Sequence, residues 1–172
     1  MLATEDLPTV WTEVRTSASY DVQMDLGLCN AEPYEGIEDR LASVEAEFEQ
    51  DPTEGPFLIH DVTAYPEDQA IEAMEYAREI TADCTEWTDE EGVTYTLEPQ
   101  DDYPQFGDES FVLRITFEVP GIGPVPGEFV FIRVDGLLTF IGYVGLSEVD
   151  TAEVTDIAEI AVEKMENADL DS

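Results

Sequence analysis

The chain has one histidine, His60, and it lies next to Asp61 in the segment FLIHDVTAY. A histidine oriented by a carboxylate is the pair that general-base catalysis uses. The segment has the composition of a strand, however, and successive side chains of a strand point to opposite faces of the sheet. His60 and Asp61 therefore cannot form a hydrogen-bonded dyad, and no G-x-S-x-G motif accompanies them. The sequence predicts a structural histidine and no catalytic residue.

Two acidic runs, TDEEG at 88–92 and PQDDYPQFGDE at 99–109, carry oxygen atoms of the kind that calcium prefers. Their spacing does not match a D-x-D-x-D-G loop, and solvated clusters are expected in a chain with 42 acidic residues. We therefore predict neither a metal site nor a cofactor. The weak calcium candidates are Asp101, Asp102, Asp108 and Glu109. A hydrolytic enzyme that uses an unrecognised pair of carboxylates is the third choice for function.

Several aromatic residues could line an apolar cleft for a ligand, although aromatic residues at strand spacing are more often part of a core. These candidates are Trp87, Tyr95, Tyr103, Phe106 and Tyr143. Two arginines, Arg114 and Arg133, fall in the middle of predicted strands. We expect each of them to form an ion pair with a neighbouring strand.

The charge of the chain is extreme, with 42 acidic against six basic residues and a formal net charge of −36. No basic patch exists that could neutralise a row of phosphates, so binding to nucleic acid is excluded and anionic membrane surfaces are disfavoured. Such a composition favours a protein that works at high salt, where repulsion between like charges is screened. A very acidic secreted protein from an ordinary habitat is the alternative.

Cys29 and Cys84 are the two cysteines, too few for a zinc site and too far apart for a C-x-x-C motif. They form either one disulfide, which implies an oxidising compartment, or two buried thiols. We favour the disulfide. No segment approaches the roughly 18 consecutive apolar residues of a membrane span.

Two segments show the three- and four-residue apolar steps of an amphipathic helix. The first is 65–87, in which Pro66 suits the first turn, and the second starts near Asp150, which has capping-box spacing to Glu153. Six strands are predicted, several of them from alternation, which holds even at 42–48, where helix-forming residues are abundant. The predicted strands are 42–48, 57–65, 93–97, 111–119, 128–134 and 137–144. The last two strands are apolar on both faces, so they should be central or covered.

The predicted order is ββαββββα in a single domain, 1–172. Short connections make the sheet antiparallel, which gives an α+β two-layer sandwich of about six strands with two main amphipathic helices packed on one face. The Asp135-Gly136 pair predicts a hairpin turn. The proline-rich segment 120–127 is predicted to be a connection that interrupts the ladder. The pattern over 12–27 is weak and suggests extended chain.

Several segments resemble the extracytoplasmic sensor-like domains of actinobacteria, the family of the PknH kinase C-terminal sensor domain and of free-standing envelope lipoproteins. The resemblance covers about 3–168 and is carried by ATEDLPTVW, Cys29 in its loop, the helix ending ADCTEW, GDESFVLRITFE, EFVFIRVDGLLTFIGY and AVEKMENA. It implies a secreted or lipid-anchored domain whose sheet is backed by helices and has one face that forms a cleft. It also implies the sensing of a ligand or partner, without catalysis.

Our functional expectation is a non-enzymatic, extracytoplasmic domain at the cell envelope that binds a small ligand or an envelope protein. We expect a monomer with no transmembrane segment in this chain. The sequence leaves open whether a lipid anchor lies upstream of Met1. The alternative is a structural or assembly subunit of an exported surface protein. Light scattering distinguishes the two, because a subunit forms a defined oligomer.

Overall fold

The computed structural model describes residues 1–19, 28–31, 34–89, 91–146 and 148–168. The helices are α1 (Glu67–Asp83) and α2 (Thr151–Glu166). The strands are β1 (Thr12–Ser19), β2 (Ala42–Glu49), β3 (Phe57–Ala64), β4 (Glu86–Thr88), β5 (Thr94–Pro99), β6 (Glu109–Val119), β7 (Gly123–Val134) and β8 (Leu137–Val144). Within this part of the chain the strands form one antiparallel sheet in the order β1-β2-β3-β8-β7-β6-β5-β4. The α+β class and the antiparallel sheet are confirmed.

The described sheet has eight strands, not about six, and the two that were not predicted lie at its edges. β1 exposes nearly all of its side chains, so it lacks the alternation of a half-buried strand. β4 has only three residues and falls inside the segment predicted as the end of the first helix. Of the residues that suggested extended chain, Val14 is in β1, whereas Tyr20, Val22 and Met24 lie outside the described residues.

The prediction that both helices pack on one face is wrong, because α1 and α2 cover opposite faces of the sheet. Ile157 of α2 shares a buried cluster with Val130 of β7. Met74 of α1 shares another with Phe131, the next residue of β7, and with Phe140 of β8. Adjacent strand residues point to opposite faces, so the domain has three layers. We call the two sides of the sheet the α1 face and the α2 face.

β2 confirms the strand predicted at 42–48. It pairs in antiparallel register with β3, and Ala46 and Phe48 are almost fully buried on the α2 face. Val44 is only half-buried, and so are Glu45 and Glu47 on the other face. The burial of alternate side chains against the core stabilises a strand in this segment. This effect outweighs the helix propensity of its residues.

The predicted interruption at 120–127 is wrong, since β7 begins at Gly123 and pairs with β6 from there. The carbonyl of Pro126 accepts a hydrogen bond from Gly145 N, so it points away from β6. In a strand the N–H and the carbonyl of one residue point to the same side. Pro124 lies two residues before Pro126, so its backbone groups point to the same side as those of Pro126. The hydrogen-bond donors that these prolines lack would not have faced β6, so the ladder continues.

Both helix starts agree with the sequence. Pro66 precedes the first residue of α1, and the carboxylate of Asp150 caps α2 by accepting hydrogen bonds from the backbone N–H groups of Ala152 and Glu153. The segment before β1 is anchored on the α2 face by Trp11, which is buried. None of the helices in the described residues is both long and apolar enough to cross a membrane.

The predicted disulfide is confirmed. Cys29 and Cys84 are bonded, with their Cα atoms 5.9 Å apart, inside the range that a bridge permits. Cys84 directly follows α1 and Cys29 lies in a short helical turn, Leu28–Asn30. The bridge therefore attaches this turn to the end of α1.

Candidate ligand-binding cleft

An open apolar cleft occupies the half of the α1 face that α1 does not cover. α1 begins beside the β7–β8 turn, where Tyr65 N donates a hydrogen bond to Gly136 O. At the other end of these strands the described residues leave a cleft of about 610 Å³. Its lining consists of Phe57, Ile59, Val93, Tyr95, Phe117, Val119, Ile122, Val125, Phe129, Phe140, Gly142, Val144 and Leu146. Five strands thus contribute to a surface without a charged side chain.

The floor of the cleft is a chain of aromatic rings. Phe140 meets Phe129 edge-on at 5.0 Å between ring centroids, and Phe129 meets Phe117 at 6.3 Å. Tyr95 continues the chain at 5.4 Å from Phe117, and Trp87 stacks on Tyr95 at 4.6 Å. Edge-to-face packing of this kind holds the rings in defined positions, so the floor is preorganised.

Gly142 keeps the middle of the floor open. A Cβ atom at this position would lie 3.1 Å from the ring of Phe140 and 3.5 Å from that of Phe129. Glycine inside a strand weakens the strand and often marks a place where another group approaches the backbone closely. Here its absent side chain leaves room for the contact between the ring of Phe129 on β7 and that of Phe140 on β8.

The mouth of the cleft exposes large apolar side chains to solvent. Ile59 is 40% exposed, Leu146 is 44% exposed and Ile122 is 76% exposed. Contiguous apolar patches of this kind are uncommon on soluble proteins, and this one stands out on a chain of net charge −36. Single exposed hydrophobic residues are ordinary, but here three border one concave surface.

On the β5 side, the apolar surface of the cleft ends at a hydrogen-bonded polar pair. The hydroxyl of Tyr95 donates to Oδ2 of Asp89 at 2.7 Å. Burial and this carboxylate raise the pKa of Tyr95 to about 12, so the phenol remains a neutral donor at all ordinary pH values.

No family model and no curated protein sequence matches this chain. Its fold matches the crystal structure of the extracellular domain of PknH from Mycobacterium tuberculosis. The TM-score is 0.67 at 12% identity, and the match covers 93% of this chain and 87% of the other. The predicted resemblance is thus confirmed as a likeness of fold.

The five aromatic residues predicted for a cleft do not meet in one place. Tyr95 lines the cleft, and Trp87 stacks behind it on the edge strand β4. Phe106 and Tyr143 are buried in the core under α2, and Tyr103 packs against that core. The prediction of a single cleft lined by all five is therefore wrong, because it could not tell on which face each residue lies.

The calcium candidates do not gather around one point. Asp101 and Asp102 are exposed at a turn. Asp108 accepts hydrogen bonds from Arg133 and from the backbone N–H of Asp135. Glu109 is 2.8 Å from Arg78. Among the described residues no group of three or more Asp, Glu, His or Cys side chains is arranged to hold a metal ion.

Arg78 and Tyr103 also line a second, smaller pocket of about 320 Å³ between the end of α1 and the β5–β6 loop. The guanidinium of Arg78 is already engaged there. It is paired with Glu109 and lies 4.7 Å from the centroid of the Phe111 ring. Among the described residues, the only cation that this pocket offers a ligand, Arg78, is therefore already paired, and the pocket has less apolar surface than the cleft.

Two buried glutamates lie on the α2 face, Glu128 in β7 and Glu153 in the first turn of α2, and hydrogen-bond donors surround both. Glu128 is ion-paired with Arg114, its partner across β6 and β7, and accepts a hydrogen bond from Tyr103. Glu153 accepts hydrogen bonds from Trp11 and Tyr143. Buried carboxylates that accept hydrogen bonds from the protein in this way have a structural role. The predicted ion pairs of Arg114 and Arg133 with neighbouring strands are confirmed.

His60 and Asp61 point to opposite faces, as predicted. On the α2 face, His60 is 1% exposed, and its Nδ1 accepts a hydrogen bond from Leu2 N. Burial lowers the pKa of His60 to about 3. On the α1 face, Asp61 accepts hydrogen bonds from Ser43 and Thr63. Burial, opposed by these bonds, raises the pKa of Asp61 to about 6.

Sequence reasoning missed most of the cleft, although a signal was present. β7 and β8 are apolar on both faces, which predicted central or covered strands. α1 is too short to cover the whole of the face on which it packs, so part of that face remains open. Phe57 and Ile59 are a second signal, because they are apolar residues on the face of β3 that also carries Asp61 and Thr63.

Proposed function

We propose that this chain is a non-enzymatic, extracytoplasmic binding domain of the sensor type and that the apolar cleft is its ligand site. The observation that supports this proposal most strongly is the open cleft of about 610 Å³ with its preorganised aromatic floor. A concave, mostly apolar surface of this volume is the usual form of a small-molecule site. The ligand contributes apolar surface that fills the space between Ile59, Phe129 and Leu146.

Two further observations support the extracytoplasmic assignment. The fold is similar to that of the extracellular domain of PknH. The Cys29–Cys84 disulfide is of a kind that forms and persists in oxidising compartments. The absence of catalysis is our inference from the buried carboxylates, which are occupied by structural partners.

A neutral fluorescent probe tests the cleft. N-phenyl-1-naphthylamine brightens when it enters an apolar site, and we expect it to bind with one site per chain. The Ile59→Gln/Leu146→Gln double variant should weaken binding about tenfold or more, since about 1.4 kcal/mol of apolar contact is lost. Both residues are partly exposed, so the fold should persist.

The matched control is Val14→Gln/Leu41→Gln. These residues are 55% and 61% exposed and lie outside the cleft. The control should bind the probe as the wild type does. A wild type that does not bind, or an equal loss in both double variants, would contradict the proposed site.

A further inference from the structure

A row of carboxylates borders the cleft along β2. The register places Glu49 opposite Phe57 and Glu47 opposite Ile59. Residues directly opposite each other in an antiparallel pair lie on the same face of the sheet. The two glutamates are therefore the next side chains on the α1 face beyond the apolar wall of the cleft.

The negative charge of these carboxylates is only partly balanced by basic side chains. Arg15 on β1 pairs with both Glu47 and Glu45, at 2.8 Å from the latter. Glu49 is half-buried, and its side chain forms no ion pair or hydrogen bond with any residue that the structure describes. A carboxylate in this position, next to an apolar wall, is less screened by water than a fully exposed one.

The opposite border of the cleft is acidic too, since Asp89 lies beside Tyr95. Four other basic side chains are ion-paired elsewhere, and none of them lines the cleft. These pairs are Arg78–Glu109, Arg114–Glu128, Arg133–Asp108 and Lys164–Asp6. A ligand thus meets apolar surface in the middle and negative charge on two sides.

We infer that the ligand of this cleft is a cationic amphiphile, with an apolar chain on the aromatic floor and a positively charged group at Glu47 and Glu49. The inference rests on the proposed function and narrows its ligand class. The apolar floor supplies binding energy in proportion to the area it buries. The acidic border and the net charge of −36 attract a cation and repel an anionic amphiphile.

The test compares three probes that have the same decyl chain and different head groups. They are decyltrimethylammonium, decyl maltoside and decyl sulfate, each kept below its micelle concentration and titrated by calorimetry. At about 0.05 M NaCl the cationic probe should bind at one site about tenfold tighter than the neutral one, and the sulfate weakest. At about 1 M NaCl the difference should shrink, because screening leaves only the apolar contribution.

The variant Glu47→Gln/Glu49→Gln should lose the preference for the cationic probe and keep its affinity for the neutral one. The matched control, Glu98→Gln/Glu118→Gln, makes the same change in net charge on exposed strand residues of the α2 face. This control should keep the preference. It also reports non-specific adsorption of a cation to an acidic protein.

Two results would overturn the inference while leaving the proposed function intact. One is a neutral probe that binds the cleft as tightly as the cationic probe. The other is a preference that both double variants lose equally. If no decyl probe binds at all, the inference and the proposed function fail together.

Discussion

At the scale of single residues, His60 and Asp61 are neighbours on β3 whose pKa values shift in opposite directions. Burial lowers the pKa of His60 to about 3 and raises that of Asp61 to about 6. Buried and neutral, His60 makes the fold less stable as pH falls below about 6.5, because the unfolded chain then binds more protons. Asp61 acts in the other direction. As pH rises above about 4, the unfolded chain releases a proton that the native state retains, so Asp61 makes the fold less stable as pH rises.

We therefore predict that Asp61→Asn stabilises the protein more at pH 7.5 than at pH 4, measured as the free energy of unfolding in urea. The shift from 3.8 to about 6 corresponds to about 3 kcal/mol. Asp102→Asn, at an exposed turn, is the control and should show little pH dependence. An Asp61→Asn effect that is the same at both pH values would mean that folding does not raise the pKa of Asp61.

At the scale of elements, the disulfide connects the turn Leu28–Asn30 to the end of α1, and Leu28 packs into the buried cluster that α1 shares. Cys29 and Cys84 are 55 residues apart, and the bridge restricts the unfolded chain accordingly. We predict that the Cys29→Ser/Cys84→Ser variant loses up to about 4 kcal/mol of stability. A reductant should destabilise the wild type by a similar amount and leave the variant unchanged. A variant as stable as the wild type would contradict this role.

Periodicity predicted the elements whose two sides differ. β2 and α2 have one buried and one more exposed side, and both formed where their patterns predicted them, while the Asp135-Gly136 pair predicted the turn of the β7–β8 hairpin. The edge strands β1 and β4 have no such pattern, because solvent or a short length removes it. The assignment of α1 and α2 to opposite faces depends on long-range packing, and a helix carries no local signal of which side of a sheet it covers. The position of the cleft follows from that packing, so the apolar character of β7 and β8 on both faces did not by itself locate it.

At the scale of the whole molecule, the net charge of −36 should oppose folding through repulsion that the expanded chain largely escapes. We predict that the thermal midpoint rises with sodium chloride up to molar concentrations, steeply at first, because the Debye length falls from about 30 Å at 0.01 M to about 10 Å at 0.1 M. Potassium chloride should act similarly. A midpoint that is flat or falls would rule out the proposed adaptation to high salt.

The same repulsion bears on assembly. Two copies at −36 repel each other at low ionic strength, and we propose that the chain is a monomer. Size-exclusion chromatography with light scattering should give the mass of one chain, 19.1 kDa. A defined oligomer would instead favour a structural subunit, with the exposed apolar cleft as its interface.

The central claim, that the apolar cleft is the ligand site, is tested most directly by NMR. Methyl groups of labelled protein would be followed during titration with N-phenyl-1-naphthylamine. We predict that the largest shift changes occur at the methyl groups of Ile59, Val119 and Leu146. Changes centred on Leu113 in the second pocket, or no saturable change anywhere, would contradict the account.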